Sequence, residues 1–151
     1  MGQLVSHEAY LPNPDYFAAL LWGNHMGSRS LDAKVVGSPS VLAYATCHDV
    51  GSGFSVVVLN MQHSSALVTI DGTPGGVSGC PVTEGSRQAE YIVRGVGGNV
   101  TASSAEYLAP GGIWRELGMI SGRLTEMTPT IRPAGQAVAM PAWSYAVVSF
   151  S

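Results

Sequence analysis

Apolar residues recur at helical spacing between Leu11 and Gly27, and afterwards fall into short alternating or continuous runs. The pattern therefore divides the chain once, near Gly27. Asn13 suits the N-cap, where its side chain accepts an orphan backbone N–H. Pro14 suits the first helical position, because its missing N–H would be unpaired there in any case. Asp15 complements the positive end of the helix dipole, and Gly27 can adopt the left-handed conformation that stops a helix. Phe17, Leu20, Leu21 and Met26 complete the periodicity, so a helix is predicted over 14–26. It carries almost no charge on any face, which predicts packing on both sides. Consecutive helix positions lie about 100° apart, so Phe17, Leu20, Leu21 and Trp22 cannot all face one sheet.

Beyond Gly27 the runs are of β type. Leu31–Val36 ends at the turn Gly37-Ser38-Pro39-Ser40, and Val41–Cys47 alternates bulky with small residues up to the turn at His48–Gly53. Phe54–Asn60 reads as a buried central strand, with Val56 and Val58 on one face and Val57 and Leu59 on the other. Ala66–Ile70 alternates and stops at Asp71-Gly72, followed by a Gly/Pro-rich loop over 73–85. Gln88–Arg94 runs into the glycine loop Gly95-Val96-Gly97-Gly98. Weak strands are expected at 106–108 and 113–117, an extended segment at 128–133, and a closing β-run over 141–150. Short strands punctuated by turns every 8–12 residues or so predict an antiparallel β-sandwich of about seven to nine strands. The fold expected is mainly β, with one N-terminal helix.

Composition sharpens this picture. With 151 residues the chain is one domain in length, too short for a (β/α)₈ barrel of about 250 residues. Hydrophobic residues at 46% can fill a core, which excludes a disordered tail. Charged residues are only 11%, against about 25% in an average soluble domain, so part of the surface is expected to be covered by another element. Net charge is −3, and Lys34 with Arg29, Arg87, Arg94, Arg115, Arg123 and Arg132 are scattered, which argues against nucleic acid and against an autonomous polyanion site. No run approaches the 18 or so apolar residues of a membrane span. No basic stretch followed by an apolar segment opens the sequence, so the chain as written is expected to carry no export signal of its own.

Candidate chemistry is sparse. Cys47 and Cys80 are either two small buried residues or one disulfide, and adjacent Cys47-His48 on a strand would face opposite ways, a poor pair of metal ligands. No metal or other cofactor is expected. The loop at 95–98 lacks a following amphipathic helix to cradle a phosphate, and Gly75-Gly76-Val77-Ser78-Gly79 breaks the spacing of a nucleophile elbow. A glycosidase needs two carboxyl groups about 5–9 Å apart, whereas the ten acids are spread singly, among them Glu8, Glu106, Glu116 and Glu126. No catalytic residue is therefore assigned. Asn99-Val100-Thr101 is a glycosylation sequon if the chain is exported. Trp22, Trp114 and Trp143 could stack on sugars, but core or interface packing is the better reading for Trp22 and Trp143.

The order of motifs resembles heparanase-like enzymes, glycoside hydrolase family 79. Asn13-Pro14-Asp15-Tyr16-Phe17-Ala18-Ala19-Leu20-Leu21-Trp22 with Met26-Gly27 is similar to the segment entering their last barrel helix. Tyr44–Cys47, Val56–Met61, Glu90–Arg94, Arg132–Gly135 and Met140–Val148 are similar to successive parts of their β-sandwich, so the resemblance covers roughly residues 11–150.

The resemblance implies a C-terminal, non-catalytic sandwich of a retaining β-glucuronidase. Residues 1–27 would be the end of the catalytic barrel and 28–151 the sandwich. The partner would be the (β/α)₈ barrel, contacted through Phe17, Leu20, Leu21 and Trp22, with glycans as further partners and an extracellular or secretory location. The family's catalytic glutamates lie upstream, and none here matches them. Cys47 matches a cysteine that some members bridge to a C-terminal tail; this sequence stops at Ser151 without one, leaving Cys80 as the stand-in. The family's sandwich also borrows a strand from near the parent's N-terminus, whose absence would leave an unpaired edge. The rival expectations are a free-standing carbohydrate-binding sandwich, which needs an exposed aromatic on a sheet face or loop, and a purely structural or adhesion-like sandwich.

Overall fold

The computed structural model describes residues 14–72, 79–82, 85–94 and 129–151, with no side-chain description for 14–17 and 94. One helix, α1 (Pro14–His25), precedes eight strands among these residues: β1 (Ser30–Leu31), β2 (Val41–Cys47), β3 (Phe54–Asn60), β4 (Ala66–Val68), β5 (Arg87–Arg94), β6 (Thr130–Pro133), β7 (Val138–Met140) and β8 (Ser144–Phe150). They form an antiparallel six-stranded sheet in the order β1-β2-β3-β8-β5-β6 and a two-stranded sheet, β4-β7. The chain is thus mainly β, as its alternating pattern predicts. Asn13, the loop at 95–98, Asn99, the segments 106–108 and 113–117, and Trp114 lie outside the described residues.

Strand register explains the layering. Ala45, Val56 and Val148 lie side by side across β2, β3 and β8, as do Ala43, Val58 and Ala146, and Cys47, Phe54 and Phe150. These rows form the inner face. They pack with Val138 and Met140 of β7, Ala66 and Val68 of β4, and Val82 into one core. Phe54 and Phe150 stack with ring centroids 4.6 Å apart. Val56 and Val58 are the fully buried set of β3, whereas Leu59 on the other face is 37% exposed.

The outer face carries rows through Tyr44, Val57, Val147 and Tyr91 and through Thr46, Ser55, Ser149 and Ala89. Helix α1 lies against β5 and β8 on this side. Its Leu21 is 1% exposed and anchors the contact, while Trp22 is 50% exposed and turns outward. The helix is therefore packed on one side, not on both. It has a sheet beneath Leu21, and Trp22, half exposed, stacks its ring on Tyr44 of β2.

Four local expectations need correction. The run at 31–36 pairs only through Ser30 and Leu31, because Asp32 and Lys34 project outward and the turn at Gly37 follows before a ladder can extend. The run at 66–70 pairs only through Val68. Val138–Met140, unrecognised in the sequence, pairs with β4 and supplies two of the best-buried core residues. Trp143 sits in the turn before β8 at φ 50° and not in the strand itself, so it is half-buried with its ring edge on His63.

Candidate functional site

The outer face gathers most of the chemistry among the described residues. Gly27, just past α1, donates its N–H to Thr46 Oγ1 at 2.9 Å, and a Cβ there would collide with the Cys47 carbonyl. This close approach is what requires glycine; Gly27 does not take the left-handed conformation expected of a helix stop. Ser28 follows with its N–H and hydroxyl donating to Asp49 Oδ1 at 2.8 and 2.7 Å. The Ser28 amide, then its hydroxyl, hold the Asp49 carboxyl below its ordinary range against a small opposing desolvation. The helix end is thus stitched to the β2–β3 turn.

Two imidazoles sit beside this junction. His25, the last residue of α1, places its ring 4.4 Å from that of Tyr91. Burial, then the charge of nearby His48, push its pKa below the ordinary 6.5. Burial likewise raises the Tyr91 phenol. His48 faces the Ser52 carbonyl through Nδ1 at 3.2 Å and the hydroxyls of Ser55 and Ser149 through Nε2 at 2.9 and 3.1 Å. A carbonyl only accepts, so Nδ1 is the donor to Ser52. Ser55 and Ser149 are buried, which keeps this serine–histidine arrangement from presenting a nucleophile to substrate.

Trp22 and Tyr44 stack with centroids 5.5 Å apart and planes 16° from parallel. Tyr44 is itself 39% exposed, and its hydroxyl is hydrogen-bonded to Ser30 Oγ at 2.8 Å. Leu42 and Leu59, cross-strand partners one row further along the same face, and Met61 beyond them are also exposed. Of the four residues expected at a barrel interface, Leu21 is buried on this chain's own sheet and Trp22 stacks on Tyr44 of that sheet with half its surface exposed. Leu20 is partly buried, and the side chain of Phe17 is outside the described set.

Several other polar groups among the described residues have structural partners. Cys47 and Cys80 are joined in a disulfide with Cα atoms 5.6 Å apart, tying the end of β2 to the segment before β5. Arg29 lies over it, with Nε and Nη2 at 3.2 and 2.9 Å from Cys47 Sγ, and it also donates to the Gly79 carbonyl. On the inner face Glu90 is buried with Gln88 Nε2 at 2.7 Å and Arg132 Nε at 3.5 Å. Asp49 in the β2–β3 turn and Glu90 in mid-β5 are each committed to other partners and do not form a glycosidase-type pair. No helix of the described residues is long and apolar enough to cross a membrane.

Sequence comparison adds what the geometry alone does not. No family model matches the chain. It is 36% identical over 98 residues to baicalin-beta-D-glucuronidase of Scutellaria baicalensis, a match covering 64% of this chain and 17% of that protein. It is 32% identical over 68 residues to heparanase-like protein 2 of Arabidopsis thaliana, covering 44% and 13%. Heparanase-like protein 1 of the same plant is 34% identical over 62 residues, covering 41% and 11%. The matched segment thus spans less than a fifth of the length of these relatives.

Proposed function

From a chain homologous over part of its length to heparanase-like β-glucuronidases, we propose a non-catalytic C-terminal β-sandwich of such an enzyme. The carrying observation is the match itself: 98 residues of this chain correspond to only 17% of a β-glucuronidase. In this reading residues 1–27 close a (β/α)₈ barrel, and 28–151 brace it. Leu21 docks α1 onto the sandwich, while Trp22, with Leu20 and Phe17, faces the barrel. The low charge content and the exposed row at Leu42, Leu59 and Met61 fit a surface normally covered. The parent would cleave glucuronide-containing glycans with glutamates upstream of this chain, in an extracellular or secretory compartment. The Cys47–Cys80 disulfide is in keeping with an oxidising location, where Asn99 would be open to glycosylation. Purified chain should release no p-nitrophenol from p-nitrophenyl β-D-glucuronide above a buffer blank. Turnover abolished by changing one of its own glutamates would overturn the proposal.

One observation favours a second reading, a carbohydrate-binding sandwich: the open Trp22–Tyr44 pair is a flat aromatic surface of the kind that takes a pyranose face. Saturable quenching of tryptophan fluorescence by glucuronic-acid oligosaccharides, lost in Trp22→Ala, would put that reading first.

A further inference from the structure

We propose that the Cys47–Cys80 bridge is a thiol-exchange site: a dithiol opens it at Cys80, and Arg29 receives the departing Cys47 sulfur as a thiolate. Its chemistry does not depend on the barrel reading.

The described partners of the Arg29 guanidinium are two sulfurs and a carbonyl. Nε and Nη2 lie 3.2 and 2.9 Å from Cys47 Sγ, Nη2 lies 3.2 Å from Cys80 Sγ, and Nη2 also donates to the Gly79 carbonyl. A disulfide sulfur is neutral and a weak acceptor, a poor match for two donors of a full cation. A thiolate in the same place makes two charge-assisted bonds, so the guanidinium favours the open form. The backbone, and not the bridge, seats this cation. Arg29 precedes the rungs Ser30–Thr46 and Leu31–Ala45, and its carbonyl accepts the Cys47 N–H at 3.0 Å. Gly27 and Ser28 pin the preceding residues to Thr46 and Asp49. Opening the bridge therefore leaves Arg29 beside Cys47. Gly79, at φ 84°, makes room for it, since a Cβ there would stand 3.0 Å from Arg29 Nη2.

The two sulfurs are unequal, because Cys47 faces two donors and Cys80 one. The other groups around Cys47 leave Arg29 unopposed. Phe54 and Phe150 flank it on the inner face, His48 points to Ser55 and Ser149 on the outer face, and Asp49 is held by Ser28. Asp32 and Lys34, beyond β1, are exposed, and residues 79–82 add no charge. Burial against the two rings raises the thiol, but two donors of a cation at contact distance lower it further. The bridge lies one side chain deep, with Arg29, Gly79 and Pro81 exposed around it. A thiolate reaches Cys80 by displacing Nη2 from Cys80 and Gly79, while Nε keeps its bond to Cys47. It bonds to Cys80 Sγ, the S–S bond breaks, and the electron pair leaves on Cys47 Sγ, faster the more that thiolate is stabilised. The second thiol of the reagent, its proton lost to solvent, attacks the mixed disulfide and releases Cys80, which takes a proton from solvent. Two electrons thus pass from the dithiol, now a disulfide, to the protein.

Alkylation of the reduced 151-residue chain by iodoacetamide over a range of pH tests this, with each cysteine's peptide read by mass spectrometry. The midpoint should fall below about pH 8 for Cys47 and lie at or above about 8.5, the ordinary value, for Cys80. Arg29→Gln should return Cys47 to about 8.5 or above, and Arg29→Lys should restore part of the difference. In the oxidised chain Arg29→Gln should slow opening by dithiothreitol roughly threefold or more at neutral pH. Unchanged or faster opening would make Arg29 a spectator or a shield and overturn the proposal. Equal, ordinary midpoints for the two cysteines of the unmodified chain would overturn it as well. Should Arg29→Gln fail to fold, the Cys47 midpoint in Cys80→Ser decides: below about 8 supports the proposal, and at or above it refutes it.

Discussion

Replacing Val58 by aspartate puts the layering to a quantitative test, because its neighbour Leu59 provides the control. Val58 is 1% exposed on the inner face between Ala43 and Ala146, while Leu59 is 37% exposed on the outer face. Removing the valine side chain forfeits about 1.5–2 kcal/mol of transfer free energy. The new carboxyl has apolar neighbours in its own row, so it must be held neutral; at pH 7, against an ordinary pKa of about 4, that costs about 4 kcal/mol more. The total of about 6 kcal/mol rivals the whole stability of a typical domain, and at about 2–4 °C per kcal/mol it lowers Tm by roughly 12–24 °C or prevents folding. Leu59→Asp lets its carboxylate reach water and should cost only about 1–2 kcal/mol. The pH response is diagnostic. Aspartate at 58 has a raised folded-state pKa, so its stability relative to the unmodified chain recovers by about 3 kcal/mol between pH 7 and 4.5. Thermal or urea unfolding followed by circular dichroism measures all of this. Equal effects at 58 and 59, with no recovery in acid, would refute the assignment of the inner face.

Other expectations follow from single contacts. The Cys47–Cys80 disulfide closes a loop of 33 residues, so its reduction should cost about 3–4 kcal/mol, read as a lower urea midpoint in dithiothreitol. An unchanged midpoint would contradict it. Asn60 is buried, donating to the Pro141 carbonyl at 2.7 Å and to Ser64 at 3.0 Å while accepting from the Gln62 amide, so Asn60→Ala should cost about 2–3 kcal/mol by the same assay. Leu21→Ala should cost about 2–4 kcal/mol, whereas Trp22→Ala should cost about 1 kcal/mol and reduce self-association in sedimentation velocity. Greater self-association in Trp22→Ala would argue against an exposed interface there.

The central strands and the helix were legible because each obeys a single period. Val41–Cys47 and Phe54–Asn60 coincide with their predicted bounds, and α1 ends within one residue of the predicted stop. What escaped depended on residues distant in sequence. Val138–Met140 is too short to show a period, and it becomes a strand only by pairing with Ala66–Val68. In Gln88–Arg94 the apolar positions Ala89, Tyr91 and Val93 face outward, and the inner face buries Gln88 and Glu90 beside the single apolar Ile92. That inversion is tolerable because Arg132 arrives from β6 to pair with Glu90, which no local pattern announces. The two-imidazole junction was equally hidden, since it forms only when α1 folds back over β5. The split between Leu21 and Trp22 was foreseeable from helix geometry alone, but which of the two is fully buried was not.

The central claim, that this sandwich works as part of a larger heparanase-like β-glucuronidase, is tested most directly on the native polypeptide. An antibody raised against the 151-residue chain would be used to capture it from its source tissue, with mass and hydrolysis of an aryl β-glucuronide measured together. The account predicts a captured species several times larger than 15.7 kDa that carries the activity. A species of 15.7 kDa without activity would contradict it.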